Sequence, residues 1–187
     1  FLPRSNLILN RTLFLVPLPG AIHGSAIVSQ YLIDNGVQAT LDIVGNEADL
    51  TIDYLKYKCL GYEKSIIVHR PIFGYEKWNI FKKSNILLFP ITYPKECLPL
   101  VIIEALAYYL PMISFNTGGV RDMIIHGHNE LILSGLLSSG KVQEAAEIIV
   151  GFSADEWLEM SQSAFSSYQS NYTLDNWVSG IHKILNE

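Results

Sequence analysis

The chain has 187 residues, 49% hydrophobic and 17% charged, which suffices for one domain with a sizeable core and argues against disorder. Its formal net charge of −5, with no basic block to offset it, argues against nucleic acid as the main partner. Two cysteines, Cys59 and Cys97, give neither a disulfide framework nor a metal spacing, as expected of a reducing compartment.

The opening stretch, FLPRSNLILNRTLFLVPLPG, is interrupted by Arg4, Asn6, Asn10 and Arg11, so it does not read as a signal peptide. No apolar run reaches the roughly 18 residues that a transmembrane helix needs. Thr12 to Val16 is a short apolar run closed by Pro17, a buried-strand pattern. A loop from Pro17 to Gly24 carries two prolines, two glycines and His23. Ser25 to Asn35 reads as a helix stopped at Asn35-Gly36, and Leu41 to Val44 as a second strand. Ala48 to Leu60 has the apolar spacing of a helix, ended by Gly61. Ser65 to Val68 is a third strand, Tyr75 to Lys82 a short helix and Ile86 to Phe89 a fourth strand closed by Pro90. A helix from Leu100 to Leu110, a strand from Met112 to Phe115 and the loop Asn116 to Gly119 follow. Val120 to Ile125 makes a helical turn or two, and Leu131 to Leu133 a sixth, short strand. From Lys141 onward the spacing predicts three helices, broken at Gly151 and Asn171-Tyr172, with Ser153 and Thr173 as N-caps.

Strands and helices therefore alternate over most of the chain. That order predicts βαβ units, hence an α/β domain in three layers with a mainly parallel sheet of about six strands. The strand runs are continuously apolar, as a sheet covered on both faces requires. The expected organisation is one domain over residues 1–187, with residues 141–187 as a helical tail.

Ligands of an open parallel sheet bind beyond the carboxyl ends of its strands. The loops at Pro17 to Gly24, Gly45 to Ala48, His69 to Gly74, Pro90 to Pro99 and Asn116 to Gly119 are thus the candidates. Pro99 stands near the first turn of the helix at Leu100, a favoured place for proline. The N–H groups of that turn suit an anion, and phosphate is the expected one. Glu96 precedes this helix and Glu104 lies inside it, eight positions on. A carboxylate accepts from paired hydroxyls of the kind a ribose or a sugar ring offers. Val101, Ile102, Ile103, Ala105 and Leu106 leave Glu104 little polar face, so it needs a reason beyond solvation. Glu96 alone reads equally as a solvated loop acid. The pair Gly118-Gly119 permits a close backbone approach or an ordinary turn. His23 and His69 stand in candidate loops, where a lone histidine is usually a surface residue. His126-Gly127-His128 has no third ligand at metal spacing and reads as solvent-exposed. Neither a Walker pattern, a GxGxxG fingerprint nor a nucleophile elbow is present. Tyr108, Tyr109, Trp157 and Trp177 read as core or interface positions.

The segment Glu96-Cys97-Leu98-Pro99-Leu100 through Glu104-Ala105-Leu106 resembles the E-x7-E motif of retaining glycosyltransferases of the GT-B fold, family four. Pro111 to Ser114 and Gly118 to Asp122 resemble that family's next strand and glycine loop. Upstream, Leu41 to Gly45 and Ile67 to Pro71 resemble its second and third strands, and the tail with Tyr172 and Trp177 also fits. The resemblance runs from about Thr40 to the end of the sequence.

It implies a Rossmann-like domain, the donor-binding half of a GT-B enzyme. That enzyme moves a sugar from a UDP- or GDP-linked donor to a saccharide or lipid-linked acceptor, with retention of configuration, in polysaccharide biosynthesis. By resemblance Glu96 contacts donor-sugar hydroxyls, Glu104 binds the ribose, and Leu98, Pro99, Leu100 and Val101 approach the diphosphate or sugar. Arg70, Pro71 and Ile72 lie near the base, and His23, Gly24, Gly118 and Gly119 stand in phosphate- or sugar-side loops. No catalytic residue is assigned, and no cofactor or metal is expected. The resemblance implies a cytoplasmic enzyme, with peripheral association at the inner membrane face as an option for the full-length protein. The sequence also departs from the family. Leu18 to Gly24 lacks the expected arginine and lysine, and His23 stands where a lysine precedes the glycine. Phe14 to Ser25 looks more like the opening of the family's N-terminal domain, so residues 1–36 are expected to derive from either half. Family members are usually about twice this long, so the acceptor domain is expected to be missing. Three other readings fit the same residues: a non-catalytic nucleotide-sugar-binding fragment, a nucleotide-sugar epimerase-like protein of this architecture, and a structural or dimerisation module suggested by the apolar Tyr108-Tyr109 and the helical tail.

Overall fold

A computed structural model describes residues 11–15, 21–44, 54, 56–57, 59–91, 95, 97–123, 130–133 and 139–186. Among them the apolar runs pair into one six-stranded sheet. Its strands are β1 (Arg11–Leu15), β2 (Ala39–Ile43), β3 (Ile66–Val68), β4 (Ile86–Phe89), β5 (Met112–Phe115) and β6 (Glu130–Leu133). They lie in the order β3-β2-β1-β4-β5-β6, and every neighbouring pair is parallel. Phe14 of β1 is level with Asp42 of β2 on one side and Leu87 of β4 on the other. The chain thus builds outward from β1 to β3, then crosses back to start β4 on the opposite side of β1. In such a sheet the β1/β4 boundary is the switch point, the place where ligands of open parallel sheets generally bind.

The helices are α1 (Ala21–Asp34), α2 (Gly74–Lys83), α3 (Leu100–Ala107), α4 (Val120–Met123), α5 (Ser139–Gly151), α6 (Ala154–Asn171) and α7 (Leu174–Leu185). Side chains alternate between the faces of a strand, and both faces are covered. Ile86 and Leu88 of β4 join a core with Ala26, Leu32, Ile113, Ala145, Ile149 and Trp157. Leu87 and Phe89 join a second core with Ile80, Phe81, Ile102, Ala105 and Leu106. All four residues of β4 and all four of β5 are buried, which is why these runs carry no alternation. Helix α6 contributes Trp157 and Met160 to the first core and Ala164 to the second.

Several boundaries differ from the sequence expectation. Helix α1 starts at Ala21 rather than Ser25, so His23 and Gly24 belong to its first turns and not to the preceding loop. Gly24 does not stop it, because one glycine inside a helix costs only about 1 kcal/mol. Helix α3 ends at Ala107 rather than Leu110. Tyr109 takes φ +62, its N–H donates to the Leu106 carbonyl at 3.1 Å, and the Leu110 N–H donates to that of Ala105 at 3.0 Å. This is a Schellman turn with tyrosine at the position glycine normally fills. The Tyr109 ring stacks on Phe165 at 4.0 Å and its carbonyl accepts from the Ser161 hydroxyl, so packing against α6 offsets the backbone strain. The tail breaks where expected. Ser153 caps α6 in a capping box with Glu156, and Thr173 caps α7. Of the helix predicted from Ala48 to Leu60, residues 54, 56 and 57 are described as helical, and the remainder up to residue 58 lies outside the described residues. The loop after β2, Ile124-Ile125 and the His126-Gly127-His128 turn also lie outside them.

The loops above β4 and β5 interlock. A Cβ added to Gly119 would lie 1.8 Å from the Cys97 carbonyl oxygen, so the backbone after β5 touches the backbone that leads into α3. The Phe89 carbonyl, the last of β4, accepts from the Ile91 N–H at 2.7 Å and from the Ser114 hydroxyl of β5, also at 2.7 Å. These bonds hold the chain at the point where it leaves the sheet.

Three measurements check this account. Gly119→Ala places a methyl group against a backbone carbonyl, so a loss of about 1–3 kcal/mol is expected in urea unfolding; an unchanged midpoint would refute the contact. Ser153→Ala removes the cap of α6 and is expected to cost about 1 kcal/mol. The Ser153 hydroxyl and backbone N–H lower the Glu156 pKa from its ordinary 4.5. The contribution of those bonds is therefore full above that value and disappears as pH falls through the lowered one. The stability gap between wild type and Glu156→Gln should close on acidification; a gap independent of pH would contradict it.

Candidate functional site

Beyond the end of β4 the chain passes Pro90 and Ile91, both buried, and re-enters helical structure at α3. Pro99 is the N-cap of α3, at φ −68 and ψ 106, and no side chain caps the helix. The first turn contains no acid, so the positive end of the helix dipole is not offset from within. Pro99 is buried between Leu98 and Leu100, which are 53% and 66% exposed. Val101 is buried in the core beneath. Two exposed leucines at an uncapped helix start, above a parallel sheet, leave an apolar rim beside a positive dipole.

Glu104 lies one turn further along α3, about 6 Å up the axis from Leu100 and on the same side of the helix. Its carboxylate is three-quarters buried and meets the Lys77 ammonium of α2, with Nζ 2.7 Å from Oε1 and 2.6 Å from Oε2. Lys77 is buried to a similar degree, and its Nζ lies 5.2 Å from the Trp78 ring centroid. Trp78 stacks on Tyr108, the C-cap of α3, at 5.6 Å. The expected absence of a polar face around Glu104 therefore has a structural counterpart: the acid is held by a lysine from the neighbouring helix, among aromatic rings.

Helix α2 begins directly after the segment His69 to Phe73. Arg70 and Pro71 are exposed, and Ile72 packs against the core shared by α2 and α3. Phe73 is the N-cap of α2 and is 80% exposed. Lys77 follows one turn into α2, so the segment bearing Arg70 to Ile72 and the acid Glu104 are joined through that helix. Gly118 takes φ +55, and Gly119 lies against the Cys97 backbone. The structure thus gathers Leu98 to Val101, Glu104, Gly118 and Gly119, with Arg70 to Ile72 linked through Lys77. Glu96 lies outside the described residues, and His23 and Gly24 are placed by backbone alone in α1.

Sequence reading missed two polar clusters. Lys77 is one partner of the first. The second is Asp42, 1% exposed inside the apolar run of β2. Its Oδ1 lies 2.6 Å from His69 Nε2, and Lys83 Nζ from the end of α2 lies 3.3 Å from Oδ1 and 3.2 Å from Oδ2. A carboxylate only accepts, so the contact puts the Nε2 proton of His69 toward Asp42. His69, expected as a loop surface residue, is instead tied down at the carboxyl end of β3. The one available signal was the acid itself, placed in an otherwise apolar strand. Among the described residues no cluster of three or more His, Cys, Asp or Glu side chains forms a metal site, and no helix is long and apolar enough to cross a membrane. Cys59 is buried and Cys97 exposed, both as free thiols; burial and nearby Glu63 raise the Cys59 pKa.

No curated protein sequence matches the chain. Solved structures do match its fold. The C-terminal domain of the glycosyl transferase group 1 family protein LpcC from Francisella tularensis superposes with a TM-score of 0.70 at 16% identity, over 89% of this chain and 87% of that domain. HepE of Anabaena, solved with UDP-glucose, gives a TM-score of 0.75 at 21% identity over 95% of this chain. The pneumococcal O-GlcNAc transferase GtfA, solved with UDP and GlcNAc, gives 0.69 at 16% identity over 94%. The chain spans 49% of HepE and 36% of GtfA. The shared architecture is a Rossmann-like half of a GT-B glycosyltransferase. The family model described as "Glycosyl transferases group 1" matches residues 25–155, from α1 through the start of α6, and the chain belongs to that family.

Proposed function

We propose that this chain is the donor-binding half of a glycosyltransferase, holding a UDP- or GDP-linked sugar for transfer to a saccharide or lipid-linked acceptor. The observation that carries this reading is the placement of Glu104 and the uncapped start of α3 together above β4, beside the switch point of the sheet. The helix start offers N–H groups and a positive dipole to a diphosphate. As the glycosyl bond breaks, the same dipole stabilises the charge developing on the leaving diphosphate. Glu104 is set to accept from ribose hydroxyls one turn away. Glu96, by family resemblance, meets hydroxyls of the transferred sugar. Arg70 to Ile72 take the base side, and the exposed Phe73 next to them offers an aromatic face. The solved neighbours bound to UDP-glucose, or to UDP and GlcNAc, support a nucleotide-sugar as the ligand class. Retention of configuration and a polysaccharide or lipid-linked acceptor rest on the E-x7-E resemblance. Acceptor recognition belongs, in this reading, to a further domain.

A second reading, a nucleotide-sugar-binding protein without transferase activity, is favoured by the missing basic residues in Leu18 to Gly24. Incubation of this chain with donor, alone and with acceptor mixtures, separates the two: released nucleotide or transferred sugar excludes the non-catalytic reading.

Calorimetry with UDP-, GDP- and ADP-linked sugars tests the site. Binding of a UDP- or GDP-sugar is expected. A folded chain that takes up none of the three sinks the donor-binding reading. Glu104→Ala removes hydrogen bonds to a charged group, worth about 1.5–3 kcal/mol, so affinity should drop by roughly one to two orders of magnitude. Unchanged affinity in that variant would remove Glu104 from the site.

A further inference from the structure

Lys77 belongs to none of the motifs legible in the sequence, yet its ammonium is the group that contacts both oxygens of Glu104, at 2.7 and 2.6 Å. We propose that Lys77 is a positioning residue for diol recognition: it fixes the Glu104 carboxylate so that one acceptor site on each oxygen faces the vicinal hydroxyls of a ribose. The inference rests on the donor-binding reading and adds to it a residue that acts through Glu104 without touching the ligand.

The argument is one of acceptor capacity and constraint. A carboxylate has about four lone-pair sites over its two oxygens. An ammonium bridging both oxygens uses one site on each and leaves one on each. Two remaining sites, in a fixed plane, are what two neighbouring hydroxyl donors need. Glu104 has rotatable bonds of its own, and its helix neighbours Ile103 and Ala105 offer no hydrogen bond that would fix its plane. Lys77 supplies that fixation because its own stem is confined: Nζ stands 5.2 Å from the Trp78 ring centroid and 5.9 Å from that of Phe81. Phe81 is fully buried, and Trp78 is stacked on Tyr108. The ammonium is thereby anchored to the same aromatic group that closes the end of α3. A lysine free to move with solvent would screen the acid without orienting it.

The test is the ratio of affinities for a nucleotide with and without its diol. UDP and GDP, each beside its 2′,3′-dideoxy analogue, are titrated calorimetrically into the full chain and into Lys77→Met, Lys77→Gln and Lys77→Arg, with thermal unfolding recorded alongside. The wild type should favour the ribonucleotide at least about tenfold. Lys77→Met and Lys77→Gln should bring that ratio to within about twofold of unity, and Lys77→Arg, which restores a cation able to bridge both oxygens, should recover most of it. A purely structural role would lower stability and overall affinity but leave the ratio unchanged. Retention of the wild-type ratio in either folded neutral variant overturns the proposal while leaving the donor-binding reading intact. Should both neutral variants fail to fold, a Lys77→Arg ratio at unity overturns it and a wild-type ratio supports it. A wild type that binds UDP or GDP with no preference for the diol overturns the proposal through Glu104 itself. A wild type that binds neither nucleotide overturns the proposal, and one that also takes up none of the three nucleotide-sugars overturns the donor-binding reading.

Discussion

Everything in this molecule depends on the burial of both faces of a parallel sheet. Each residue of β4 is buried, Leu87 and Phe89 to one side and Ile86 and Leu88 to the other. A strand in that position leaves no surface for a ligand on its flanks, and open parallel sheets bind ligands at the edge where the strands end. At that edge the chain is controlled by a few backbone contacts. The Phe89 carbonyl takes two donors, and Gly119 meets the Cys97 carbonyl with no room for a side chain. The loops that carry the proposed site are thus held at the ends of buried strands.

Helix α2 joins the two halves of the sheet edge through two lysines. Lys77 near its start binds Glu104 of α3, and Lys83 at its end binds Asp42 of β2, which also meets His69 after β3. Both acids are shielded from water, and a shielded carboxylate needs a partner to remain in place. The consequence is directional. The segment Arg70 to Ile72 is tied at its root by His69 and at its exit by α2, whose first turns lock onto the acid of the neighbouring helix. The segment is thus connected to Glu104 through α2 and Lys77.

Much of this was legible in the sequence. The bounds of β4 and β5 follow from apolar runs that end at Pro90 and begin after Pro111, because proline and full burial leave little choice. The caps at Ser153 and Thr173 were legible for a different reason: a hydroxyl before a helix satisfies N–H groups that nothing else reaches. Glu104 stood out as an acid among Val101, Ile102, Ile103, Ala105 and Leu106. Its partner did not, since Lys77 lies 27 positions earlier and looks like any surface lysine of an amphipathic helix. Asp42 was hidden likewise, with its partners 27 and 41 positions away. The early end of α3 was illegible because a left-handed tyrosine carries no local mark; only its stacking on Phe165, from a helix far along the chain, makes it affordable. The start of α1 was misplaced because Gly24 and nearby prolines resemble a loop, whereas helix propensity tolerates a single glycine.

Helix α6 has a further effect. It is about 27 Å long at ~1.5 Å per residue, and it places Trp157 and Met160 in one core and Ala164 in the other. The two hydrophobic layers are otherwise separated by the sheet. A single rigid rod shared between them makes their melting one event: neither layer can loosen its grip on α6 without opening the other to water, so the half-domain should lose structure as one cooperative unit rather than layer by layer.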